Sequence, residues 1–299
     1  MGLYLDDFKK TLSDNRAELA FIAGNGINRF AYGDDAQVSW NDMLLEVWQQ
    51  ISDKKLTEIP EGITLTEFYD MMELEAGSFD KVRRKVVGFF EKWKPADYHH
   101  WLQERLARWN VPLLTTNFDR NMNAGLTMHK MESAGRGFTD YYPWGVYFAR
   151  EALNNPLAGF GVWHINGMLD YRRSIRLSLS EYTNLSARTR SFLHSDDAID
   201  KFDLKNINRW NGYRTWLHVI FNRSLCIFGL GLGENETFLR WLLIERTKYF
   251  RKHPEREKRG WYVCRRGEDL DGKRFLLDYL GFQMVVLDDC PEIYEGIFE

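Results

Sequence analysis

A mostly parallel α/β sheet is predicted from three observations. Short apolar runs recur along the chain, several of them end in glycine, and the stretches between them carry helical spacing. Strands buried on both faces read as continuous apolar runs, and their alternation with helices gives a doubly wound sheet. The expected architecture is therefore Rossmann-like, with helices on both faces and an inserted, mainly helical small lobe.

In chain order, Leu5, Phe8, Leu12 and Ala17 lie near helical spacing, so residues 3–17 read as an amphipathic helix. Residues 18–24 form the first strand candidate, ending at Gly24. Residues 41–108 are mainly helical in pattern and punctuated by Pro60 and Pro95, which predicts a helical insertion after that strand. Further strands are expected at 111–114, 161–165, 224–229, 261–264 and 283–287, with a second insertion at about 171–218. A helix is expected from Thr237 to Phe250, and another ends at Gly281. No repeat or linker interrupts the 299 residues, so one domain with two insertions is expected.

The totals exclude several classes. A formal net charge of -3 argues against a phosphate-hungry surface. The basic clusters at Arg172, Arg173 and Arg176, at Arg251 and Lys252, and at Arg256, Lys258 and Arg259 read as solvated faces. Direct nucleic-acid binding is not expected. Cys226, Cys264 and Cys290 are too scattered for a four-thiolate zinc site or a disulfide framework. No stretch approaches the ~18 apolar residues that span a bilayer, and the N-terminal residues lack the build of a secretion signal. A cytoplasmic protein without a bound metal is expected. The 11 tryptophans, 14 tyrosines and 20 phenylalanines serve the core or a subunit interface, and self-assembly into a homo-oligomer is expected.

Open α/β sheets bind ligands beyond the carboxyl ends of their strands, so the residues just past each strand carry the information. Ala23-Gly24-Asn25-Gly26-Ile27-Asn28 places two glycines where backbone can approach a phosphate closely, although a plain structural turn reads the same way. Thr115-Thr116-Asn117-Phe118-Asp119 follows a buried run with polar groups. A helix cap needs one such residue, whereas an asparagine amide can hold a water or a sugar hydroxyl. Trp163-His164-Ile165-Asn166-Gly167 puts His164 and Asn166 on one strand face, as a structural pair or as a general base and its neighbour. Phe228-Gly229-Leu230-Gly231-Leu232-Gly233-Glu234-Asn235-Glu236 supplies a second glycine-rich strand end, or else a flexible turn with Asn235 or Glu234 near the following helix start.

The order of these four segments resembles the sirtuin-like superfamily. Its pattern is a glycine-rich first turn, a Thr-Gln-Asn-Ile-Asp-type motif, a histidine followed by glycine, and a late glycine-rich strand end. The Thr115-Thr116-Asn117-Phe118-Asp119 form, with Leu177-Ser178-Leu179-Ser180-Glu181-Tyr182 further on, looks like the bacterial branch and covers about residues 18–290. Two departures stand out. Asn166 occupies the place directly before glycine, with His164 two residues earlier, and the four zinc cysteines of the deacylases are missing.

The resemblance implies NAD as substrate. Asn117 would then act on the water or ribose near the nicotinamide bond, Asp119 on the nicotinamide side, and His164 as the base. Ala23, Gly24, Asn25, Gly26 and Asn28 would hold phosphate and ribose, together with Thr116, Asn166, Gly229 and Gly231. The expected activity is hydrolysis of NAD to nicotinamide and ADP-ribose by the depleting effector of a bacterial antiphage system, paired with a helicase-type ATPase or an Argonaute-like protein. The alternative is a non-catalytic module that binds NAD or ADP-ribose and regulates a complex.

Overall fold

The computed structural model describes residues 4–33, 36, 38–131, 139–194, 210–268 and 271–299. Among them, eight strands form one sheet: β1 (Leu19–Ala23), β2 (Leu113–Thr115), β3 (Thr127–Lys130), β4 (Val146–Ala149), β5 (Val162–His164), β6 (Ser224–Phe228), β7 (Gly260–Arg265) and β8 (Phe282–Leu287). Their spatial order is β3-β4-β5-β2-β1-β6-β7-β8. The six expected apolar runs are the six parallel strands. The fold is α/β and Rossmann-like, as expected. The antiparallel β3 and β4 extend one edge and were not foreseen. Thr127-Met128-His129-Lys130 is polar and mostly exposed, so it carries no strand pattern.

Residues alternate along each strand between two cores. Leu19, Phe21 and Ala23 of β1 face one, while Ala20 and Ile22 face the other. The first core is covered by α1 (Leu5–Asp14), α6 (Asp97–Trp109) and α11 (Cys290–Tyr294). The second is covered by α7 (Leu179–Leu193), α8 (Trp216–Asn222), α9 (Thr237–Lys252) and α10 (Asp271–Tyr279).

A third core belongs to the helices α3 (Trp40–Gln49), α4 (Leu65–Ala76) and α5 (Phe79–Glu91), which pack on one another through Val47, Phe68, Met72 and Val86. Reciprocal caps start two of them, Ser39 with Asp42 and Thr64 with Glu67. Of the helical stretch expected at 41–108, α6 returns to the sheet, where Leu102 and Leu106 join the core beneath β1 and β2. Of the insertion expected at 171–218, residues 195–209 lie outside the described residues. The short helix α2 (Gly26–Tyr32) follows β1 directly.

The chain builds outward from β1 to β2 and β5 on one side, then crosses back to lay β6 on the other. The order of strands therefore reverses between β1 and β6. A crevice opens above such a reversal because the two outgoing connections diverge.

Candidate functional site

A cleft of about 310 Å³ lies at this reversal. The two glycine-rich strand ends form its floor and touch backbone to backbone. The Gly26 amide donates to the Gly229 carbonyl at 2.8 Å. A Cβ at Gly26 would stand 2.6 Å from Gly229 Cα and 2.2 Å from the Tyr294 hydroxyl, and one at Gly24 2.6 Å from Leu230 Cδ1. Gly229 itself holds φ at 58°, a left-handed value that glycine adopts without strain. Packing between the loops thus accounts for Gly24, Gly26 and Gly229. Gly231 differs: it lines the cleft, and a Cβ there would meet nothing within 4 Å. Its missing side chain leaves room for a ligand.

The polar run after β2 divides into two layers. Thr116 and Asn117 line the cleft. Asn117 Nδ2 donates to the Gly24 carbonyl at 3.2 Å, and its backbone amide donates to Thr115 Oγ1 at 3.1 Å. The amide is thereby oriented, and its Oδ1 has no hydrogen bond among the described residues. Asn166 also lines the cleft at 3% exposure, and its buried Oδ1 has no partner among the described residues. A buried acceptor left unpaired is costly, which marks a place for a donor from a ligand or water.

Asp119 and Asn28 lie in the layer beneath. Asn28 Nδ2 donates to Asp119 Oδ2 and to Asn25 Oδ1, both at 2.9 Å. Asn28 Oδ1 accepts from Asn121 Nδ2 and from His99 Nε2, again at 2.9 Å. His99 Nδ1 accepts the Ala96 amide, which fixes the proton on Nε2. Tyr32 closes the network by accepting from Asn121 and donating to the Lys94 carbonyl. Burial holds the Asp119 carboxyl above its usual range. Asp119 and Asn28 therefore sit outside the main cleft lining, and their polar groups are used in holding the β1 and β2 ends together. Ala23 is fully buried at the end of β1 and presents only backbone.

His164 is likewise set back from the cleft. Its Nδ1 donates to the Asn117 carbonyl at 2.7 Å, and its Nε2 lies 3.0 Å from Asn123 Oδ1; turning that amide end for end presents the otherwise unpartnered Asn123 Nδ2 as a donor to Nε2. Burial lowers its pKa to about 4, so the ring is neutral at pH 7 and accepts at Nε2. Both nitrogens are engaged. The expectation that His164 reaches a reacting atom does not match this placement; it clamps the backbone of Asn117 instead.

Other groups complete the cleft. Trp40 from the helical lobe and Tyr294 from α11 flank it. Tyr294 stacks on Phe30 at 4.7 Å between ring centroids. Arg29 of α2 and Arg265 at the end of β7 stand at the exposed rim, both close enough to ease the strong upward push that burial gives the Tyr294 phenol. Burial pushes the Cys264 thiol up to about 11, so it is protonated at neutral pH. Glu236, at the start of α9, also lines the cleft, and burial raises its carboxyl to about 7. Of these, the sequence motifs reached only Glu236, the last residue of the stretch from Phe228 to Glu236, and gave it no role.

Among the described residues there is no group of three or more His, Cys, Asp or Glu side chains that could hold a metal ion. No helix among them is long and apolar enough to cross a membrane. No protein-family model matches the chain, and comparison with curated proteins returns no match.

Proposed function

We propose that this chain is an NAD hydrolase that cleaves the bond between nicotinamide and ribose. The observation that carries the reading is the convergence of Thr116, Asn117 and Asn166 with Gly26, Gly229 and Gly231 on one cleft at the strand reversal. The ligand is an extended polyanion with a hydroxyl-rich, cationic end. Open space above Gly231 and the rim arginines Arg29 and Arg265 suit the diphosphate, while the oriented amide of Asn117 and the unpaired Oδ1 of Asn166 suit ribose hydroxyls and a water.

In the reaction, water adds to the ribose carbon C1′ as the C1′–N bond breaks. The bonding electron pair moves to the nicotinamide nitrogen and neutralises its charge. Asn117, held through Gly24 and through the His164 clamp, orients the water and the sugar. The products are nicotinamide, ADP-ribose and a proton. His164 is a positioning residue in this scheme, and Asp119 with Asn28 forms the support beneath it.

The order of motifs along the chain supports the wider reading: a bacterial antiphage effector that depletes NAD, assembles as a homo-oligomer and works with a partner such as a helicase-type ATPase. The buried, fully engaged His164 favours a second reading, in which the cleft binds NAD or ADP-ribose without turnover and regulates a complex.

Nicotinamide release from NAD separates the two. Purified protein is assayed alone and with the product of the neighbouring gene, with and without phage lysate. Turnover that falls at least about 100-fold in Asn117→Ala is expected. Binding of NAD without release under every condition supports the regulatory module, and absence of both removes NAD from the account.

A further inference from the structure

Burial raises two glutamates to about 7, Glu73 and Glu236. Glu73 belongs to the helical lobe, among Glu181, Asp70 and Arg83, whereas Glu236 belongs to the cleft. Glu236 lines the cleft at only intermediate exposure and has neither a hydrogen bond nor an ion pair among the described residues. Burial alone displaces its titration. A carboxyl half-withdrawn from water without a partner is costly in its charged form.

Its position is fixed from two sides. The neighbouring Asn235 accepts the Leu65 amide at the start of α4 at 3.1 Å, which ties this turn to the helical lobe. On the sheet side, Tyr262 donates to the carbonyls of Leu230 and Gly231, holding the glycine-rich loop that leads to Glu236. Glu236 is near enough to Tyr182 of α7 and Tyr262 of β7 to raise both phenols further, after burial. Glu236 shares the lining of the cleft with Asn117 and Asn166. There the buried Oδ1 of Asn166 waits for a donor.

We propose that Glu236 is the general base of the cleft, taking a proton from the water that Asn117 orients and, once ionised, facing the positive charge that grows on the ribose ring. The inference rests on the hydrolase reading above and names the group that His164 does not supply. One proton of the water passes to the Glu236 carboxylate as the water oxygen bonds to C1′. The electron pair of the C1′–N bond leaves with neutral nicotinamide, and the Glu236 carboxyl then releases its proton to solvent. A base with a pKa of about 7 matches this task at neutral pH. The other titratable groups on the cleft are Arg29 and Arg265, which can only donate, Cys264, Tyr262 and Tyr294, whose thiol and phenols burial pushes up, and Glu268, exposed on the turn past β7.

The test compares wild type, Glu236→Gln and Glu236→Asp in nicotinamide release from NAD between pH 5 and 9, alongside calorimetric titration with ADP-ribose. The expected result for Glu236→Gln is a fall in kcat of about 100-fold or more, with ADP-ribose affinity held within about threefold. The limb of the pH profile near 7 should vanish in Glu236→Gln and return, shifted, in Glu236→Asp. An active Glu236→Gln with the wild-type limb overturns the assignment and leaves the hydrolase reading standing. A wild type that binds ADP-ribose yet releases no nicotinamide under any condition overturns both.

Discussion

Asn117 owes its orientation to three neighbours: the Gly24 carbonyl, Thr115 Oγ1 and the His164 ring. A buried imidazole that donates to a backbone carbonyl is expected to stay neutral. NMR of the His164 ring should show no titration between pH 5 and 8, with any transition near 4; a midpoint near 6.5 contradicts the clamp. The two glycines of the cleft should separate just as cleanly. Gly26→Ala forces backbone apart at Gly229 and is expected to lower the melting temperature or abolish folding, whereas Gly231→Ala should fold normally and weaken NAD binding. Much of this site was legible in the sequence, because Thr116, Asn117, Asn166 and the glycine pairs are unusual residue types at the ends of apolar runs. Strand alternation placed His164 and Asn166 on one face, but alternation gives direction and not depth, and His164 lies below the lining that Asn166 reaches. Glu236 was quoted in a motif yet given no role for another reason. It follows its strand by several loop residues, and the tether from Asn235 to Leu65 that holds this turn spans 170 positions in sequence.

Elements were legible where one pattern dominated. The central parallel strands β1 and β6 are mostly apolar and buried at every position because helices cover both faces, and sequence shows that directly. β3 is an exposed edge strand of polar residues, so no periodicity distinguishes it from loop. The division of residues 41–108 was hidden as well, since α6 has the same amphipathic spacing as α3–α5 but packs on the sheet. What fastens the lobe to the rest is a buried charge cluster. Arg83 of α5 pairs with Glu181 at the start of α7 and donates to the carbonyls of Arg172 and Ile175. Glu181 also accepts the Leu177 and Ser178 amides. Glu181→Ala strands two buried arginines, Arg83 and Arg176, and is expected to cost roughly 3 kcal/mol. Calorimetric unfolding reads this directly, and a loss under about 1 kcal/mol contradicts the role of the cluster.

At the scale of the whole molecule, buried ionisable groups set a pH window. His99, His164 and His218 are each lowered by burial to about 4 from 6.5. Their stabilisation is full above the unfolded value and is lost as pH falls from 6.5 toward 4, because the unfolded chain takes up the protons. Glu73 and Glu236 are raised to about 7 from 4.5, chiefly by burial, so they stabilise fully below 4.5 and lose that contribution as pH rises through 7. Asp119 and Asp70 are held up by burial as well, so the carboxyls offset the histidines at acidic pH, and above pH 6.5 only the loss from Glu73 and Glu236 remains. A melting temperature that falls between pH 6.5 and 8 is expected, and one that rises over that range contradicts the sign. The same burial that sets this window also shapes a cleft whose polar groups are presented to a ligand. The most direct measurement of that cleft is a crystal structure of Asn117→Ala grown with NAD. The expected density places the diphosphate beside Gly231 and the nicotinamide ribose between residue 117, Asn166 and Glu236. An empty cleft at saturating NAD, or NAD bound elsewhere on the molecule, contradicts the account.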